Sequence, residues 1–217
     1  MIYHESFSFV KHLDLGSVMN NDHEIIKKVL SGDYDAFEVL VDRYQGRVYR
    51  HLRKMVKDQN EVQDLLQETF LSAYKGLSSF SGNSSFATWL FKVSNNAALM
   101  YLRKKRPELL QQADDIEKME HFEFMPASPE FVSTPLEILL SKEGRKKIEE
   151  ALDKLPLVYR TVIVLKDVEG FSLEEVAEIT DSSIPAVKSR LHRGRNFVRA
   201  TLASYYTEKS DQKKHRG

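Results

Sequence analysis

Apolar residues recur at three- and four-residue spacing over long stretches of this chain, which is the period of one buried helix face. The segment "NEVQDLLQETFLSAYKGL" (Asn60 to Leu77) is a clear case. At about 100° per residue, Val62, Leu65, Leu66, Thr69 and Ala73 fall inward, and Asp64, Gln67, Glu68, Leu71 and Lys75 fall outward. Leu71 is therefore an apolar residue on a polar face, which points to a partner surface as much as to solvent. A small polar loop follows, "SSFSGNSSF" (Ser78 to Phe86), and then a helix from about Phe86 to Arg106. Period-two alternation is rare. "TVIVL" (Thr161 to Leu165) is β-branched, yet it sits inside a helical pattern from Pro156 to Asp167. The expected fold is all-α: two small helical domains.

Further on, Ser172 followed by Glu175 is a capping-box pattern that starts a helix at "SLEEVAEI". That helix ends at Thr180-Asp181. Ser182 or Ser183 caps the next one, and Pro185 fits its first turn, where a missing N–H costs little. Two short helices on a tight turn make a helix-turn-helix. On the second helix Val187, Leu191, Gly194 and Val198 share one face, and Lys188, Ser189, His192, Arg193 and Asn196 share the opposite one. Arg190 and Arg195 flank the boundary. The apolar face packs inward. The other face carries donors of the kind that read base edges, with flanking cations for phosphates.

Charge changes the picture along the chain rather than in total. Lys plus Arg and Asp plus Glu are both 32, for a net charge of zero. Yet the first block ends in "RKKR" (Arg103 to Arg106), residues 108–137 carry eight acids against Lys118, and residues 182–217 carry nine cations against two acids. Four of the six prolines lie between Pro107 and Pro135. Proline at that density breaks helices and extends the chain. The predicted organisation is an N-terminal extension over 1–20, a helical domain over 21–106, an acidic linker over 107–137, a second helical domain over 138–206 and a disordered basic tail over 207–217.

Several function classes drop out. The chain has no cysteine, so disulfides and thiolate zinc sites are excluded. Its seven histidines have no ligand spacing. No phosphate-loop glycine motif or nucleophile elbow is present, so neither a metal, a cofactor nor an enzyme is expected. No run approaches the length of a membrane span and no signal peptide is read at the start, so the cytoplasm is the expected compartment. Along the helix after the polar loop, Trp89, Lys92, Asn96 and Arg103 form one stripe. Aromatic, amide and cation in line suit single-stranded nucleic acid. On periodicity alone Trp89 reads first as a core residue, which is commoner than a base platform.

Three stretches, "DYDAFEVLVDRYQGRVYRHLRK", "DLLQETFLSAYKGLSSFSGNSSFATWLFKVSNNAALMYLRKK" and "LPLVYRTVIVLKDVEGFSLEEVAEITDSSIPAVKSRLHRGR", resemble bacterial RNA polymerase sigma factors of the extracytoplasmic-function group. The resemblance covers roughly residues 20–106 (sigma region two) and 140–202 (region four). It implies a transcription initiation factor. Asp64, Gln67, Glu68 and Leu71 would dock on the clamp coiled coil of the core polymerase largest subunit, with a further contact to the polymerase flap. Phe80, Asn83, Trp89, Lys92, Asn96 and Arg103 would recognise and open the minus-ten element of promoter DNA. Lys188, Ser189, Arg190, His192, Arg193 and Arg195 would read the minus-thirty-five element. The linker would thread the polymerase, and an anti-sigma factor would be a partner. The turn departs from the family: "SSIPAV" stands where many relatives have Gly-Thr-Val. The alternative reading is a free-standing helix-turn-helix regulator of duplex operators, which would need a dimer to read a palindrome.

Overall fold

The computed structural model describes residues 15–108 and 142–214, with side chains described from residue 21 and as far as residue 202. Among the described residues there are eight α-helices and no strand. The first domain holds α1 (Leu15–Leu30), α2 (Ala36–Met55), α3 (Gln59–Gly76) and α4 (Phe86–Lys105). The second holds α5 (Lys142–Lys154), α6 (Leu157–Ile163), α7 (Leu173–Ile179) and α8 (Ile184–Lys214).

Local chemistry sets the ends of these helices. The Asp58 side chain accepts from the backbone N–H of Asn60 and Glu61 at the start of α3, and Ser85 accepts from Thr88 N–H at the start of α4. Each satisfies donors that a helix N-terminus leaves unpaired. The capping box read from the sequence forms in full: the Ser172 side chain accepts from Glu175 N–H while Glu175 accepts from Ser172 N–H. For α8 the cap is Ser183, whose side chain accepts from Ala186 N–H at 3.3 Å.

The first core is built from Leu40, Val48, Leu52, Val62, Ala73, Phe86, Leu90 and Ala98, all buried. Val62, Leu65, Thr69 and Ala73 of α3 point inward as the periodicity requires. Helix α1 is fastened to α2 by Asp22, which accepts from the Tyr44 hydroxyl at 2.5 Å and from Arg43. Burial, then the Asp22 carboxylate, pushes the Tyr44 hydroxyl well above the usual phenol range. Val162, Leu165, Val176, Ile179, Val187 and Leu191 form the second core. Gly194 lets α8 come close to α6, since a Cβ there would lie 2.7 Å from Ile163 Cδ1.

After α6 the chain widens into a π turn at Val164–Val168, closed by Glu169 N–H donating to Val164 carbonyl at 2.9 Å. This turn works as a hub. It presents Asp167 to α8 and Glu169 to α2.

Two sequence expectations meet the structure at the termini. Helix α1 begins at Leu15, inside the stretch expected as an extension. The backbone of α8 continues to Lys214, past Tyr206, where a disordered tail was expected. That correction has a simple cause: no proline or glycine falls between Arg195 and Arg216, and Glu, Lys and Gln are good helix formers. Nearly all of the acidic linker lies outside the described residues.

Candidate nucleic-acid interface

Three faces carry the residues singled out by the sequence. On α3, Asp64, Gln67 and Glu68 are exposed and Leu71 is 59% exposed, all on the outer side. One turn further, Tyr74 is exposed as well, and Tyr34 packs edge-on against it with ring centres 6.4 Å apart. Sequence reading missed both tyrosines. The available signal was the spacing: Tyr74 follows Leu71 by three residues, so the two share a helix face.

The second face is the polar loop with α4. Phe80 and Trp89 are half-buried together, 5.5 Å between ring centres, and Phe86 lies 5.7 Å from Trp89. Trp89 is thus part of an aromatic cluster that supports the loop and still shows an edge to solvent. Gly82 has φ of +74°, a conformation that suits glycine, and it leans on His23 of α1: a Cβ would lie 3.2 Å from His23 Nε2. Asn83, Asn96 and Arg103 are exposed.

Lys92 is not open to solvent in the same way. Its ammonium pairs with Asp181 at 2.5 Å. Asp181 belongs to the second domain and sits at the turn of the helix-turn-helix, where its φ of 48° is one that Asp tolerates. The same side of α4 and its loop meets α7 at three more points. Ser84 hydroxyl donates to Glu178 at 2.7 Å, Thr88 hydroxyl donates to Glu175 at 2.9 Å, and Asn95 amide donates to Ile179 carbonyl at 3.4 Å. An acidic helix and its turn therefore cover part of the stripe that holds Lys92. This arrangement was not legible in the sequence, where Glu175 read as a capping residue.

The third face is on α8. Lys188, Ser189 and His192 are exposed together, with Arg193 half-buried beside them. Val187, Leu191 and Gly194 are buried on the opposite side, as the wheel requires. The two flanking arginines are held within the domain. Arg190 donates to Ser182 hydroxyl at 2.7 Å, and Arg195 forks onto Asp167 at 3.0 and 2.5 Å. Among the described residues no group of His, Asp or Glu is placed to hold a metal, and no helix is long and apolar enough to cross a membrane.

The fold is that of two helical domains, and known proteins share it. The sequence matches the family described as Sigma-70 region 2 over residues 40–108 and the one described as Sigma-70, region 4 over residues 145–198. It is 36% identical to the ECF RNA polymerase sigma factor SigW of Bacillus subtilis over 180 residues, covering 82% of this chain and 94% of that protein. It is 37% identical over 179 residues to the ECF RNA polymerase sigma-E factor of Escherichia coli K12, covering 82% of this chain and 92% of that one. The chain belongs to the sigma-70 family, in the extracytoplasmic-function group. Among solved structures it resembles CnrH in complex with the cytosolic domain of CnrY, with a TM-score of 0.60 and 25% identity over 84% of this chain and 97% of that one. The fold is shared as well with the sigma factor RpoE of Bartonella quintana, at a TM-score of 0.58 over 77% of this chain and 96% of that one.

Proposed function

We propose that this sigma factor binds core RNA polymerase, directs it to specific promoters and helps open the minus-ten element. The observation that carries this reading is the pairing, in one chain, of a region-two stripe with a helix-turn-helix face on which Lys188, Ser189 and His192 are exposed and Arg193 is half-buried beside them. Each residue has a physical task. The outer face of α3, with Asp64, Gln67, Glu68 and Leu71, docks on the clamp of the polymerase, and the second domain meets the flap. The loop at Phe80 and Asn83 receives a base drawn from the stack, Asn96 hydrogen-bonds it, and Lys92 and Arg103 hold the backbone. Taking a base out of the duplex costs a few kcal/mol, and preformed donors offset part of that. The α8 face reads the minus-thirty-five element in the major groove, where side-chain pairs discriminate base edges.

The action is stoichiometric binding rather than catalysis by this chain, and it takes place with the polymerase in the cytoplasm. A controlling partner protein fits the same reading, since CnrH was solved bound to the cytosolic domain of CnrY. Run-off transcription with sigma-free core polymerase and a pool of genomic fragments tests the proposal. Defined starts sharing two upstream elements are expected. Absence of any binding to core overturns it and leaves the duplex-operator regulator.

A further inference from the structure

Helix α2 turns one side toward the second domain, and the contacts are specific. Arg47 donates from Nε to the Glu169 carboxylate at 3.1 Å and from Nη2 to the Glu169 carbonyl at 3.0 Å. Its guanidinium lies 5.2 Å from the ring centre of Phe91 on α4 and 5.4 Å from that of Phe171 in the second domain. Two turns on, Lys54 pairs with Glu149 of α5 at 2.8 Å. Between them on this side sits His51. It is fully buried, it packs on Phe91 with ring centres 5.3 Å apart, and neither ring nitrogen has a hydrogen-bond partner among the described residues. Phe91 is closed off in turn by Phe171, 4.8 Å away. A histidine with two bare nitrogens in an apolar site makes no contact that leucine would not make as well.

We propose that His51 couples the closure of the two domains to acidity: the closed arrangement holds an uncharged ring, and protonation drives the domains apart. The charges on the elements packed around it offer no counter-ion. Arg47 is taken by Glu169, Lys54 by Glu149, Arg160 of α6 by Asp153, which Lys57 also approaches, and Lys92 of α4 by Asp181. Burial alone acts on the imidazole and pushes it down to about 4. Separation of the domains withdraws Phe171 and the partners of Arg47 and Lys54, and water reaches the ring. An open-state imidazole titrates near its ordinary value of about 6.5. The sign follows. Closure is unaffected by pH above about 6.5, and it weakens as pH falls from about 6.5 toward 4, because the open form alone takes the proton. Between pH 7.5 and 5.5 the open-to-closed ratio rises about tenfold, from those two values. On the sigma-factor reading, opening also frees Ser84, Thr88 and Lys92 for the promoter strand.

The test needs neither polymerase nor DNA, so it fails or succeeds independently of that reading. The chain has no cysteine, and Gln63→Cys with Arg199→Cys places one fluorophore on each domain at exposed positions. Energy transfer is expected to drop between pH 7.5 and 5.5 with unchanged far-UV helix signal. Adding His51→Leu or, as a second aromatic replacement, His51→Phe is expected to keep transfer high across that range. Adding Glu169→Gln is expected to lower transfer already at pH 7.5. The proposal is overturned if transfer is flat with pH in the unsubstituted chain, if the His51 variants keep the same pH response, or if helix signal is lost in the same window.

Discussion

The two faces proposed to meet nucleic acid are presented differently. The face on α8 stands open, with Lys188, Ser189 and His192 in solvent. The face on α4 is partly covered by the other domain, through Glu178, Glu175 and Asp181 on Ser84, Thr88 and Lys92. A carboxylate on a lysine and on hydroxyls makes the kind of contact a phosphate makes. The comparison teaches that zero net charge here does not mean weakly charged surfaces. It is the sum of an acidic stretch over 108–137 and basic tracts at 103–106 and 182–217, and where the acids of α7 and its turn lie on Ser84, Thr88 and Lys92 the nonspecific pull on duplex DNA is reduced locally.

The largest expected effect comes from breaking the open face. Arg193→Ala with Lys188→Ala removes donors from it, and at about 1–3 kcal/mol for each base-reading contact, initiation at a promoter dependent on the upstream element falls tenfold or more. Run-off transcript yield checks this, while binding of a single-stranded minus-ten oligonucleotide stays unchanged. Next is the hinge of the covered face. Arg47→Ala leaves the nearly buried Glu169 without its partner, and a lost hydrogen bond to a charged group costs about 2 kcal/mol of domain closure. Small-angle scattering is expected to show a larger radius of gyration.

A smaller effect tests the cover directly. Glu175→Gln, Glu178→Gln and Asp181→Asn together remove the carboxylates while Gln preserves the capping box. The Glu178 and Asp181 contacts are exposed and worth about 0.2–1 kcal/mol each, and the Glu175 contact to buried Thr88 is part-buried, so minus-ten oligonucleotide binding rises severalfold by fluorescence anisotropy. Smallest is Ser172→Ala, which removes one member of that box. It lowers stability of the second domain by about 1 kcal/mol in urea unfolding, without altering which promoter is chosen.

Much of this was legible in the sequence because it rests on local rules. The inward and outward faces of α3, the capping box at Ser172 and Glu175, and the buried side of α8 all follow from helical period and end chemistry. The docking of the domains was not, because its hydrogen bonds join residues 84 to 122 positions apart and no local rule relates them. Glu169 and Asp181 look like ordinary surface acids in the sequence. His51 sits in "YRHLRK" and reads in the sequence only as one of seven histidines without ligand spacing, and the packing on Phe91 reveals that it is dry. The extent of α8 was missed for the opposite reason: composition suggested a tail where propensity favours continued helix.

The fork of Arg195 onto Asp167 has a consequence for how this protein meets a promoter. A long arginine that is already immobilised has little rotamer freedom left to lose when DNA arrives. The buried Val187 and Leu191 and the close approach at Gly194 set the angle of α8 about its own axis, and the fork adds a contact to the π turn on the same side. The direction in which Lys188 and His192 point is therefore decided inside the protein, so on the proposed reading the promoter would meet a reader whose register is already dialled in.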